Sequence, residues 1–128
     1  MKILHLNYSD IKGGAAIAMI RLHQSLLKNN INSKVLVFEK KQKKKDIICD
    51  TNYFEKKKNY VKRKISFQFT KYQKINSKVT HSLNIFDSNI KKKIFKINPD
   101  ILHLHWINNE LISIKQIAEI ANFGIQIV

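Results

Sequence analysis

The first forty residues constrain the fold most strongly, because two apolar segments of strand length flank a glycine pair and a helical pattern. The apolar segments are Lys2 to Tyr8 (KILHLNY) and Lys34 to Phe38 (KVLVF). Between them, Gly13-Gly14 precedes a pattern of helical periodicity that runs to Lys28. Strand, turn, helix and strand in this order predict a βαβ unit, in which the two strands are parallel and the crossover is right-handed.

The remainder of the chain continues the alternation of strands and helices. We expect a short third strand over 47–49, a helix from about residue 55 and a second helix over 88–97. A strand over 101–106 follows, and another strand starts at 125. Between these two strands we expect a helix that begins at a Ser113 cap, with Gln116 three residues later. The fold class is therefore α/β, with a Rossmann-like parallel sheet and flanking helices in one domain spanning 1–128.

Apolar spacing also predicts which helix faces point to the core. In the first helix the expected inward residues are Ala15, Ala18, Leu22 and Leu26, widened by Ile17, Ile20 and Leu27. In the last helix they are Ile114, Ile117, Ala118 and Ala121, and Gly124 is expected to end that helix.

The net charge of +15 is concentrated in the middle of the chain, since residues 40–78 hold fourteen basic and three acidic side chains. Within this segment, 56–78 has helical periodicity with Phe67 and Phe69 among the lysines. A solvated helix face is the commonest origin of such a pattern. Contact with an anionic membrane surface comes second, and nucleic acid is the least favoured partner because no nucleic-acid-binding motif is present.

Composition excludes several classes of protein. The single cysteine, Cys49, rules out an internal disulfide framework and a cysteine-rich zinc module. The first residues lack the continuous apolar region of a signal peptide, and no apolar run approaches the length of a membrane span. These features favour a cytoplasmic location, which includes a position at the inner face of the cell membrane.

Two motifs are candidates for binding. Gly13-Gly14 at a helix N-terminus offers free N–H groups to an anion, although a tight turn with close helix packing explains the pair equally well. It does not match the dinucleotide fingerprint, which needs a third glycine. His103 and His105 lie two apart on a strand and so share a face, with His105 and Trp106 at the strand's carboxyl end. No metal site is expected, because no Cys, Asp or Glu sits at a fitting spacing for a third ligand.

Three blocks of sequence together resemble the N-terminal domain of family-4 glycosyltransferases, above all bacterial enzymes of surface polysaccharide synthesis. They are MKILHLNYSDIKGGAAIAMIRLHQSLLKNNINSKVLV at the start, HSLNIF at 81–86 and NPDILHLHWINNELISIKQIAEI at 98–120. The lysine-rich region 40–78 matches that family poorly.

The resemblance implies the N-terminal half of a GT-B fold, incomplete at its C-terminal edge, in an enzyme that retains anomeric configuration and needs neither metal nor other cofactor. The expected ligands are a nucleotide-sugar donor and a saccharide or lipid-linked acceptor. Gly13 and Gly14 correspond to the loop near the donor diphosphate, and His105, Trp106 and Asn108 to the acceptor side of the cleft.

The family's active-site histidine corresponds to a position beyond Val128, so no catalytic residue is assigned within this chain. We expect the 128-residue chain to transfer no sugar by itself. The alternative is a basic α/β module without catalytic activity that binds an anionic membrane surface or nucleic acid.

Overall fold

The computed structural model describes residues 1–49, 51–72 and 82–128. Within these ranges strands and helices follow one another as β1 (Lys2–Ser9), α1 (Gly13–Lys28), β2 (Asn32–Glu39), β3 (Ile47–Ile48), α2 (Tyr53–Tyr72), α3 (Ile90–Ile97), β4 (Ile101–Leu104), α4 (Ile114–Asn122) and β5 (Gln126–Ile127). The predicted α/β class is confirmed. Two predicted boundaries are wrong: α3 begins at Ile90, and β4 ends at Leu104, so that His105 and Trp106 lie in the loop after the strand.

All strand pairs in the sheet are parallel, and the spatial order is β3-β2-β1-β4-β5. The strands β2 and β3 therefore lie on one side of β1, and β4 and β5 lie on the other side. The position between β1 and β4 is therefore a topological switch point, and open α/β sheets bind ligands outside the carboxyl ends of the strands at such a point.

The two central strands carry the same tetrapeptide. Ile-Leu-His-Leu occurs at 3–6 in β1 and at 101–104 in β4, and the sheet register pairs the two copies residue by residue. Since side chains alternate between the faces of a sheet, the two leucines of each copy point to one face and the single histidine of each copy points to the other.

The leucine face of the sheet forms the larger core, where it is covered by α3 and α4. Leu4, Leu6 and Leu102 pack there with Ile94 and Ile120. A smaller apolar cluster on the other face contains Met19 of α1 and Val35, Val37 and Ile47 of β2 and β3. Helices thus cover both faces, as in other parallel sheets.

The predicted inward face of α1 is wrong, because the buried side chains are Ala16, Met19 and His23 while Leu22 is exposed. The reason is that His23 enters the interior with both ring nitrogens paired. Its Nδ1 lies 2.7 Å from Ser33 Oγ, and its Nε2 lies 2.5 Å from Asp46 Oδ2. A hydrogen-bonded imidazole therefore takes the place that the apolar pattern gave to leucine.

The face of α4 is displaced in the same way: Gln116 and Ile120 are buried, while Ile114 is 66% exposed. The predicted cap is confirmed, since Ser113 Oγ accepts a hydrogen bond from Gln116 N at 3.1 Å. The Gln116 side chain does not return to the cap, because it donates to Ser88 O and accepts from Ser88 N instead.

Helix α2 presents a polar face to the protein and an apolar stripe to solvent. Its inward side chains make polar contacts with later segments of the chain, and they are Glu55, Asn59, Lys62 and Ser66. Phe54, Val61, Ile65 and Phe69 form a stripe on an adjoining side of the helix and are between 40% and 78% exposed. Residues 73–78 of the predicted basic region, together with His81, lie outside the described residues.

Among the described residues, no helix combines the length and apolarity needed to cross a membrane.

Candidate functional site

The β1–α1 turn lies at the carboxyl edge of the sheet and is fixed by a buried carboxylate. Asp10 accepts hydrogen bonds from the backbone N–H groups of Lys41 and Gln42, the shortest being 2.6 Å, and Gln42 Nε2 donates back to Asp10 O at 3.1 Å. The lysine-rich loop 40–45 is therefore held against the turn. It adds positive charge beside the start of α1.

The N-terminus of α1 is open to an anion. Residues 13–16 are Gly-Gly-Ala-Ala, so the first turn carries no acidic side chain, and within the described structure the Lys12 N-cap makes no side-chain capping bond. Gly13 has φ +82°, a backbone conformation that favours glycine. A Cβ placed on Gly14 would meet no described atom within 4 Å. Close packing therefore does not explain Gly14, whereas the turn does explain Gly13.

The loop after β4 is attached to the end of β1. Trp106 N donates to Asn7 Oδ1 at 2.9 Å, and Tyr8 N donates to Trp106 O at 3.2 Å. The indole is 41% exposed and lies edge-on to the Tyr8 ring, with 6.3 Å between centroids. Asn108 follows in the same loop and is partly buried. The residues predicted for the two sides of the cleft thus follow the carboxyl ends of adjacent strands.

A cleft of about 420 Å³ opens between α2 and the loop after β4. Its lining combines cationic, aromatic and amide side chains, including Arg63, Lys64, Phe67 and Asn109. The Arg63 guanidinium also lies 6.0 Å from the centre of the Tyr8 ring, which connects the cleft to the end of β1. Sequence reasoning missed this recess, because it set the lysine-rich region apart from the segments that resemble the glycosyltransferase family.

Glu110 forms the floor of that cleft and was not predicted. Its side chain is 1% exposed and lies at the centre of a network that joins α2 to the segment before α3. The carboxylate accepts from Ser66 Oγ at 2.8 Å, Ser82 Oγ at 3.1 Å, Asn84 N at 2.9 Å, Ile85 N at 3.1 Å and Phe86 N at 3.4 Å. With so many donors satisfied, this carboxylate positions the cleft wall and has little capacity left for a ligand.

Three histidines converge on the sheet face opposite the larger core. His103 and His105 stack with 4.2 Å between ring centroids, which confirms that they share a face. His5 Nδ1 lies 3.1 Å from His105 Nε2. Burial, with smaller contributions from the neighbouring histidines, lowers the pKa of His5 to about 3 and that of His105 to about 4. Sequence reasoning missed His5, although the repeated tetrapeptide was a signal that could have paired it with His103.

A second imidazole arrangement has the residue types of a hydrolytic triad. His23 lies between Ser33 and Asp46. Burial raises the pKa of the Asp46 carboxyl, but the hydrogen bond with His23 and nearby charges lower it by more. The pKa of Asp46 therefore lies below its usual range. Ser33 is only 3% exposed, so no substrate reaches its hydroxyl. We therefore interpret this arrangement as structural, because it joins α1, β2 and the loop before β3.

Comparison of the chain with family models, with curated proteins and with solved structures finds no match.

Proposed function

We propose that this chain is the N-terminal, acceptor-side domain of a GT-B glycosyltransferase that moves a sugar from a nucleotide-sugar to a saccharide or lipid-linked acceptor. One observation carries the proposal. The uncapped α1 N-terminus at Gly13-Gly14 and the loop with His105, Trp106 and Asn108 follow adjacent strands at the switch point of a parallel sheet. That is the edge where sheets of this class bind their ligands.

The donor side of the proposed site is suited to a diphosphate. The free N–H groups and the positive end of the α1 dipole favour a negative charge at Gly13 and Gly14. The absence of any described atom near the Gly14 Cβ position leaves room for the backbone to approach a ligand. The loop 40–45, which Asp10 holds against this turn, carries five lysines.

The acceptor side of the proposed site includes the cleft between α2 and the loop after β4. Exposed rings such as Trp106 and Phe67 stack on sugar or lipid, while Arg63, Lys64 and Asn109 supply hydrogen-bond donors. The lysine-rich helix thereby becomes part of the proposed site, although its sequence contributed nothing to the family resemblance.

Titration with a nucleoside diphosphate tests the donor side. We expect Gly14→Val to weaken binding at least tenfold, because the branched side chain occupies the space that the diphosphate needs. The fold should be unaffected, since the added Cβ meets no described atom within 4 Å. The measurement is isothermal calorimetry with UDP and GDP at low salt. Gly14→Ala is the graded control, with an intermediate loss expected. Equal affinities for wild type and Gly14→Val would contradict the proposal.

A second candidate function, docking on an anionic membrane surface, is favoured by the outer face of α2. The exposed stripe of Phe54, Val61, Ile65 and Phe69 is bordered along one side by exposed lysines that include Lys57, Lys64 and Lys71. An apolar stripe bordered by lysines is typical of helices that lie in the membrane interface. This function is compatible with the first, because a lipid-linked acceptor is presented at the same surface.

Vesicle sedimentation tests the membrane function. Each lysine near an anionic bilayer contributes about 1 kcal/mol. We therefore expect the triple variant Lys57/Lys64/Lys71→Glu to lose at least about a hundredfold in affinity for phosphatidylserine vesicles.

The matched control is Lys34/Lys92/Lys96→Glu, which makes the same change in net charge at exposed positions on other elements. It should retain most of the binding. Equal losses in the two variants, or undiminished binding of wild type to uncharged vesicles, would contradict a specific role for α2.

A further inference from the structure

The two central strands bring three imidazoles to one point of the sheet. The register of β1 and β4 pairs His5 with His103, and His105 lies two residues further along the chain on the same face. Ring centroids are 5.4 Å apart for His5 and His103, and 5.3 Å apart for His5 and His105. One ring nitrogen from each of the three lies within 4.8 Å of the others.

The closest pair already has the spacing of two ligands on one metal ion. A tetrahedral zinc ion with Zn–N bonds of about 2.0–2.1 Å places its ligand nitrogens about 3.3 Å apart. His5 Nδ1 and His105 Nε2 are 3.1 Å apart. In the absence of an ion, one of these two nitrogens donates an N–H hydrogen bond to the other, and a cation would take the place of that proton. The three nitrogens lie within 4.8 Å of one another, so rotation of the His103 side chain toward the other two would complete the set.

Protein partners satisfy the polar atoms of the trio only in part. His5 is fully buried, and its Nε2 has no hydrogen-bond partner among the described residues. In the same described part of the chain, no hydrogen bond engages the His103 side chain, which is partly exposed and gives access from solvent. A buried, unpaired imidazole nitrogen is unusual, because buried polar groups in proteins are nearly always hydrogen-bonded.

We propose that His5, His103 and His105 form a binding site for a divalent transition-metal cation of the zinc class. Imidazole is a preferred ligand for Zn²⁺, and three protein ligands leave a fourth position for water. The ion joins the loop after β4 to β1 and so stabilises the switch point. This inference goes beyond the proposed sugar transfer, since the family resemblance implies a reaction without metal.

The surroundings determine the strength of binding. Ligating histidines are usually oriented by a carboxylate or carbonyl on the other ring nitrogen, and loss of that partner costs about 10–100-fold in affinity. His5 has no such partner in the described structure, and the trio contains no carboxylate. We therefore expect a micromolar dissociation constant.

The test is a Zn²⁺ titration by calorimetry of the full 128-residue chain. The chain is made without a polyhistidine tag and is first dialysed against chelator. We expect one ion per chain, with affinity reduced at least tenfold in His103→Asn and in His105→Asn. Both positions are partly exposed, so these variants should keep the fold, which circular dichroism checks. The control His81→Asn removes a histidine outside the trio and should bind within twofold of wild type.

Cobalt provides an independent readout. Co²⁺ in a tetrahedral imidazole site gives intense visible absorption bands, which we expect for wild type and for His81→Asn but not for His103→Asn. The absence of saturable binding by wild type would overturn the site. Unchanged affinity in both trio variants, or an equal loss in His81→Asn, would do the same.

Discussion

Replacing Glu110 with glutamine is expected to lower the free energy of unfolding by about 3 kcal/mol. The buried carboxylate accepts from two hydroxyls and three backbone N–H groups. An amide in its place turns one acceptor into a donor, which then faces other donors. Hydrogen bonds to charged groups contribute about 1.5–3 kcal/mol, and an unsatisfied buried partner costs about 1–3 kcal/mol.

Denaturant titration measures this loss, and Glu119→Gln is the matched control. Glu119 carries the same charge, but its ion pairs with Lys91 and Lys115 are partly exposed to solvent. Such pairs contribute at most about 1 kcal/mol. A loss below about 1 kcal/mol in Glu110→Gln, or equal losses in the two variants, would show that the network around Glu110 does not hold α2 in place.

Acidification is expected to destabilise the chain strongly between pH 6.5 and 4. In the folded state the pKa of His5 is about 3 and that of His105 about 4, while the unfolded chain titrates near 6.5. Unfolding therefore takes up protons in this window. Since the unfolded state binds more protons, stability falls as the pH falls, by up to about 1.4 kcal/mol per pH unit for each histidine.

The cumulative loss from pH 7.5 to 4.5 is roughly 3–5 kcal/mol, a large part of the stability of a small domain. The measurement is the free energy of unfolding against pH in buffer that contains chelator. His105→Asn removes one of the two groups, so its curve should be flatter by up to about 1.4 kcal/mol per pH unit. A profile that is flat from pH 6.5 to 4, or identical in His105→Asn, would contradict the lowered pKa values of these two histidines.

The architecture was predictable where short-range signals in the sequence agree with the fold. The βαβ unit over 1–39, the break at 98–100 and the Ser113 cap follow from apolar runs, from a proline and from a capping hydroxyl, each of which acts within a few residues. Local signals of this kind specify the elements and the parallel class of the sheet.

The helix faces were not predictable, because buried polar groups replaced apolar ones. His23 and Gln116 enter the interior with partners that lie ten and twenty-eight residues away in sequence. The outward stripe of α2 has the same origin, since the polar side of that helix bonds to the region around Glu110. Pairings between distant residues leave no periodic trace in the sequence.

Part of the candidate site was predictable and part was not. Gly13, Gly14, His105 and Trp106 were identified from strand ends and a turn. His5 became a candidate only when the strand order placed β1 beside β4. Glu110 had no signal at all, because a single acidic residue in a loop does not reveal that five donors surround it.

We expect a nucleoside diphosphate to bind at the switch point between β1 and β4. The most direct test is a map of amide chemical-shift changes in the ¹⁵N-labelled chain during titration with UDP. The largest changes should fall on residues 13–16 and on the loop after β4, with smaller changes over 40–45. Changes confined to the outer face of α2, or the absence of saturable changes, would contradict it.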